Sequence, residues 1–152
     1  MKHENLAPLA HVLTWAVVMA MGMLTRRTLP MSTEVARTLS WALLLIGATV
    51  FTWAVADLKG GFLGQVEPVT DRLVNSGPYR WVRHPVYLSM VIVTLGLAAG
   101  FRSLWGLIGT LLLFVPAGVY RARLEEQSLE NKFGQGWKDY ARRTAFMFPP
   151  LW

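Results

Sequence analysis

The chain has 152 residues, enough for one domain, with 53% apolar and 16% charged residues, against about 45–50% and about 25% in average soluble chains. The absence of cysteine excludes disulfides, thiolate nucleophiles and cysteine-ligated metals. A net charge of +6 would suit a nucleic acid, but the basic residues flank long apolar runs, so anionic lipid is the simpler partner and no nucleic-acid partner is expected.

Four stretches lack Asp, Glu, Lys and Arg: Asn5 to Thr25, Thr38 to Ala56, His84 to Phe101 and Ser103 to Tyr120, of 21, 19, 18 and 18 residues. A membrane-crossing helix needs roughly 17–25 mostly apolar residues. The fold class expected is therefore all-α: an integral membrane protein of about four transmembrane helices plus a cytoplasmic C-terminal helical segment, in a single domain over 1–152. The spans fall at about 6–25, 38–56, 85–101 and 104–120. The first is read as a retained helix and not a signal peptide, because only Lys2 precedes it and no convincing cleavage site follows.

His11 lies inside the first span, where an ionisable side chain is costly. It is read as a neutral, hydrogen-bonded packing residue. The third and fourth spans are separated by Arg102, within Gly100-Phe101-Arg102-Ser103, which predicts a tight turn between antiparallel helices. Gly96 and Gly100 are a G-x-x-x-G pair, either a close helix contact or glycines tolerated near a helix end. Pro116 should free a backbone carbonyl and bend the fourth helix. With four spans, the N-terminus, the 57–84 segment and the 121–152 tail share one side. Eleven Lys and Arg lie there against four (Arg26, Arg27, Arg37 and Arg102) on the other, so that side is cytoplasmic. The expected location is the inner membrane of a prokaryote, with both termini cytoplasmic.

The chemistry concentrates in the two cytoplasmic segments. In Arg72 to Tyr87, Asn75-Ser76-Gly77-Pro78 is a turn signal, and Pro85 suits the first position of the third helix. Pro85 also pushes His84 toward an extended conformation beside a helix N-terminus, where free N–H groups favour an anion. The alternative is an interfacial belt in which Tyr79, Trp81 and Tyr87 anchor at headgroup level and Arg80 and Arg83 bind lipid phosphate. In Arg121 to Glu130, Arg121 and Glu125 can pair four residues apart. Glu125 and Glu126 sit about one turn beyond the membrane, where adjacent acids need a cationic partner or ligand. Otherwise they are part of a solvated helix with ordinary ion pairs. In the tail, Gly134 and Gly136 should end the helix, and the aromatic end should return to the membrane surface as a lid. Gly60-Gly61-Phe62-Leu63-Gly64 lacks the context of a nucleotide loop. The three histidines are scattered, so no metal site is expected.

In this order, Gly77, Tyr79, Arg83, His84, Pro85 and Tyr87, then Glu125 and Glu126, then Phe133, Gly134, Trp137 and Tyr140, then Phe148 and Pro149 resemble the isoprenylcysteine carboxyl methyltransferase family, which belongs with the membrane phospholipid N-methyltransferases. The family pattern is roughly G-x-Y-x-x-x-R-H-P-x-Y, then E-E, then F-G-x-x-[YW]-x-x-Y and a hydrophobic end with proline. The match covers about residues 65–150. Ser89 stands where glycine is frequent and Trp137 where tyrosine is common. The resemblance implies S-adenosylmethionine as methyl donor and a lipophilic or lipid-anchored acceptor, a carboxylate foremost, entering from the bilayer. It implies a cofactor pocket lined by Tyr79, His84, Pro85, Val86, Tyr87 and Glu125, with Gln65, Arg72, Leu73 and Val74 as further candidates. Arg121 matches an acceptor and catalytic position. Glu126, or His84, is the candidate base for an amine or thiol acceptor. The alternatives are a membrane sterol-type reductase using NADPH, which shares a similar R-H-P-x-Y and tail, and a non-catalytic lipid-binding protein. The acceptor's identity and the oligomeric state are left open.

Overall fold

The computed structural model describes residues 6–58 and 73–148. Among them there are five helices and no β-strand: α1 (Leu6–Leu24), α2 (Thr33–Leu58), α3 (Pro85–Gly100), α4 (Leu104–Phe133) and α5 (Gln135–Ala141), with a short 3-10 turn at Gly77–Arg80. The first four follow the four apolar stretches. Two of them, α2 and α4, are long and apolar enough to cross a membrane; the apolar parts of α1 and α3 are shorter. Their outer faces are apolar and exposed, with Leu13, Trp41, Leu45 and Leu112 among the exposed side chains. Such a surface suits lipid and not water.

The helix ends have local causes. Ser103 caps α4, its Oγ accepting from the Gly106 N–H at 2.9 Å, which satisfies one of the unpaired donors of the first turn. Arg102 takes a positive φ of 54° in the tight turn, and its backbone carbonyl accepts from the Leu29 N–H at 2.8 Å. The irregularity expected from Pro116 takes the form of a π-helical stretch, Thr110–Phe114, just before it. Gly134 ends α4 with φ 55°. Gly136 does not end a helix: the chain re-enters one at once, and Gly136 lies inside α5.

Small residues set the approach of α2 to α3. A Cβ on Gly96 would lie 3.0 Å from Leu43 Cβ, and one on Gly100 2.7 Å from Ser40 Oγ. The G-x-x-x-G pair is therefore a close helix contact. Gly47, on α2, completes it: a Cβ there would lie 2.6 Å from Val93 Cγ2 and 3.1 Å from the Ser89 carbonyl oxygen. α1 packs on α4, and α3 touches all the other three.

Overpacking a well-filled contact costs about 1–3 kcal/mol. Gly47→Val should therefore lower the thermal unfolding midpoint in detergent. Gly136→Ala meets nothing within 4 Å and should leave it unchanged or raise it, since alanine is favoured over glycine in a helix by up to about 1 kcal/mol. Comparing the two midpoints by circular dichroism checks both.

Candidate active site

His84 is the residue before α3, with φ −123° and ψ 59°, outside the helical region as Pro85 requires. Pro85 at the first position starts the helix, whose first turn carries no side-chain cap. Three residues on, Tyr87 points toward α4. Its hydroxyl donates to Glu125 Oε1 in a short hydrogen bond. Arg121 Nε lies 3.4 Å from the same oxygen, one turn back along α4, and the Arg121 guanidinium carbon sits 5.8 Å from the Tyr87 ring centre. His84 Nδ1 is 3.8 Å from Glu125 Oε2. Four of the sequence-derived residues, His84, Tyr87, Arg121 and Glu125, thus share one cluster. His84, Tyr87 and Arg121 are each under a tenth exposed.

Glu126 faces another way. Adjacent helical residues do not share a face, so the two acids take different partners. Arg83 Nε donates to Glu126 Oε1 at 2.6 Å, and Arg123 Nη1 to Oε2 at 3.1 Å. His84 Nε2 is 3.4 Å from Oε1 but is not aligned for a hydrogen bond. Burial alone would raise the Glu126 carboxyl; the contacts from His84 and Arg83 outweigh it and hold the group below the usual carboxylate range.

Arg83 also donates from Nη1 to the Ala141 carbonyl at 2.8 Å and, in a short bond, to the Thr144 carbonyl. The backbone beside it runs parallel to the tail: Arg83 N–H donates to Ala145 O at 2.8 Å, His84 N–H to Phe146 O at 3.2 Å, and Ala145 N–H to Trp81 O at 2.9 Å. Tyr140 adds a hydrogen bond from its hydroxyl to the Tyr79 carbonyl at 2.8 Å. Burial pushes the Tyr79 and Tyr140 phenols up, so both stay protonated. Residues 144–148 are thus a largely buried strap, and Pro149 to Trp152 lie outside the described residues. Met147 is fully buried against Tyr87 and Ala122, and no lid at headgroup level is needed to describe it.

The interfacial-belt alternative fails for Tyr79, Tyr87 and Arg83, while Arg80 and Trp81 are exposed as it requires. Tyr79 and Tyr87 are buried. Arg83 is held by Glu126 and the strap, where the belt needs it on lipid phosphate. Val74, Tyr79 and Val86 form an apolar wall with Ala54 of α2. Pro85 is fully buried and Leu73 half-buried. Gln65, Arg72 and the glycine-rich stretch from Gly60 lie outside the described residues. His11 is buried and packed on aromatic rings as expected, but the hydrogen bond expected of it is missing: neither ring nitrogen has a partner among the described residues. No group of three or more His, Cys, Asp or Glu among those residues could hold a metal. An open cleft of about 360 Å³ lies outside the strap, between Arg83, Glu126, Trp137 and Lys138. Its cations are already paired, Lys138 with Glu130 at 3.2 Å and Arg123 with Glu126.

Sequence reasoning missed Arg83, Thr144 and Tyr140 as structural partners. One signal was present: Glu126 needed a cation, and Arg83 stands beside the histidine of the same motif.

The family model for phospholipid methyltransferases matches residues 35–136. The chain belongs to the phospholipid methyltransferase family. Its fold is also that of the eukaryotic intramembrane Ras methyltransferase ICMT, an isoprenylcysteine carboxyl methyltransferase, with a TM-score of 0.72 at 22% identity over 99% of this chain and 55% of that one. Among curated proteins it is similar to the cobalt-zinc-cadmium resistance protein CzcN of Cupriavidus metallidurans, 40% identical over 83 residues, which are 53% of this chain and 37% of the relative. It is also similar to the nickel-cobalt-cadmium resistance protein NccN of Alcaligenes xylosoxydans xylosoxydans, 33% identical over 115 residues, 74% of this chain and 53% of the relative. The chain spans about half or less of the length of these two relatives.

Removing one partner of a buried ion pair costs about 3–5 kcal/mol. Arg83→Met should therefore destabilise the protein at neutral pH and expose residues 134–148 to limited proteolysis. Because the folded Glu126 carboxyl is held low, its contribution is present above the unfolded glutamate value of about 4.3. It is lost as pH falls through the folded value. The gap in thermal midpoint between wild type and Arg83→Met should therefore narrow on acidification below about pH 4, the part due to the Ala141 and Thr144 carbonyls remaining. A gap constant from pH 7 to pH 3 would show that the pair is not what stabilises the strap.

Proposed function

We propose that this chain is a multi-pass membrane methyltransferase that takes S-adenosylmethionine and methylates a lipophilic acid at the cytoplasmic face of a prokaryotic inner membrane. The supporting observation is the buried cluster of His84, Tyr87, Arg121 and Glu125 at the point where α3 and α4 leave the apolar layer. Membership of the phospholipid methyltransferase family and the intramembrane methyltransferase fold support the same reading. On it, α1 to α4 all cross the bilayer, as the four apolar stretches and the excess of Lys and Arg on one side favour.

The residues fit such a donor. The α3 N-terminus, without a side-chain cap, and the buried His84 Nε2, without an aligned partner, suit its carboxylate. The Glu125 carboxylate suits its ammonium or ribose hydroxyls. Tyr79, Pro85 and Val86 supply the wall, and Val74 packs against it. When bound, S-adenosylmethionine supplies an electrophilic methyl group on a sulfonium centre. The protein's part is to align the acceptor and exclude water.

A carboxylate acceptor is already ionised and needs no base. It needs a cation to orient it, and Arg121 can do so through a charge-assisted N–H group. Its 3.4 Å contact to Glu125 is long enough to be exchanged for an acceptor. An amine or thiol acceptor would need a base. Glu126 suits that task poorly, because Arg83 and Arg123 occupy both of its oxygens and it is held below the usual carboxylate range. We therefore assign Glu126 a positioning role, which leaves His84 as the base that an amine or thiol would use, while a carboxylate acceptor needs none.

Calorimetric titration of the detergent-solubilised protein with S-adenosylhomocysteine, and separately with NADPH, tests the reading. Micromolar binding of S-adenosylhomocysteine alone is expected. Binding of NADPH alone would make the chain a reductase, and binding of neither would leave a lipid-binding scaffold. His84→Ala and Glu125→Gln should each weaken binding at least tenfold, about 1.4 kcal/mol. Arg121→Ala should spare it and reduce methyl transfer from labelled donor. Unchanged affinity in folded His84→Ala and Glu125→Gln would remove those two residues from the cofactor site.

A further inference from the structure

His11 is the one ionisable residue in α1. It is 3% exposed, stacked on Phe114 of α4 at 4.7 Å and edge-on to Tyr87 of α3 at 5.5 Å. A neutral imidazole has one N–H to donate and one nitrogen that accepts. Neither has a partner among the described residues. Packing does not explain the choice, since a phenylalanine or leucine would fill the same space without burying unpaired polar atoms.

Its surroundings point to a ligand. Phe114, Gly118, Arg121 and Glu125 are spaced by four, three and four residues and so share one face of α4. That face runs from an aromatic ring in the apolar layer, past a glycine, to a cation and then an acid. His11 stands across from its apolar half: a Cβ on Gly118 would lie 3.4 Å from His11 Cε1. Three residues of helix separate Gly118 from Arg121, about 4.5 Å along the axis. The π-helical stretch that brings Phe114 to His11 is a feature often found at functional sites. The same Tyr87 ring borders His11 on one side and the Arg121–Glu125 cluster on the other.

We propose that His11 is an acceptor-recognition residue: it donates a hydrogen bond to the carboxylate of a lipophilic acid whose other oxygen is held by Arg121. This rests on the methyltransferase reading above and deepens it. The acid's apolar chain lies along α1 and α4 in the apolar layer, and its head group lies between an imidazole on the membrane side and a guanidinium on the cytoplasmic side.

The test is calorimetric titration of the detergent-solubilised protein with S-farnesyl-N-acetylcysteine, with farnesylamine as the amine control. Each is run with and without saturating S-adenosylhomocysteine. Wild type is expected to bind the acid and not the amine. His11→Phe is expected to weaken acid binding at least tenfold, leave S-adenosylhomocysteine affinity unchanged, and leave the thermal midpoint unchanged or raised. His11→Gln, which keeps a donor, should retain acid binding within about threefold of wild type. If the phenylalanine variant does not fold, His11→Leu makes the same comparison. Equal acid affinity in wild type and the apolar variant overturns the proposal, as does preference for the amine. Loss of S-adenosylhomocysteine binding in wild type bears on the methyltransferase reading alone, because the acid titration without it still reads His11.

Discussion

The joining of the segment before α3 to α4 and to the strap depends on where the Arg83 guanidinium finds its partners. Its fixed fork of donors meets Glu126 on α4 and the Ala141 and Thr144 carbonyls at the end of α5. Three segments distant in sequence are joined at one planar group, which lysine could not reproduce. The backbone pairing between 81–84 and 145–146 follows from that junction. It is too short to hold by itself, since an isolated bridge buries little and leaves its edges open. With the strap in place, Met147 and Phe146 close over Tyr87 and His84. The strap dries the cluster around Glu125 and so strengthens its electrostatics.

Two adjacent acids on one helix divide two tasks because of the helical period. Successive positions turn by about 100°, so Glu125 reaches Tyr87 and Arg121 while Glu126 reaches Arg83 and Arg123. One acid is tied into the framework. The other is held by a phenol and a long ion-pair contact, partners that a ligand can displace. His84 touches both, at 3.8 Å and 3.4 Å, and so couples the framework to the site.

The membrane helices were legible because they are announced locally: by apolar runs of bilayer length, by Pro85 at a first position, and by the Gly100 to Ser103 turn. The Arg121–Glu125 pair was legible for the same reason, being four residues apart. What was not legible is what depends on contacts far along the chain. Arg83 read equally well as a lipid anchor, since its partners are 43 and 58 residues away. The tail read as a surface lid because its aromatic composition does not reveal that Met147 is buried. Gly136 read as a helix stop because glycine is a poor helix former; Gly134 had already made the turn, and a new helix could start behind it. His11 read as hydrogen-bonded because a buried imidazole normally is.

The departure at His11 carries more than the agreements. A buried polar group left unpaired among the described residues is a cost in the folded state, and such groups persist where a ligand or a mechanism requires them. In a layer without water the cost is higher, and the number of candidate partners smaller. The π stretch before Pro116 is a second local conflict in the same layer, and it brings Phe114 to the same imidazole. Two local departures from helix and core rules meet at one ring, beside Arg121, and on the function proposed above they favour recognition of the acceptor on the membrane side of that guanidinium. On that reading the cofactor lies further along toward Glu125, and α4, through Gly118, Arg121 and Glu125, spans the distance between the two together with the Tyr87 ring of α3.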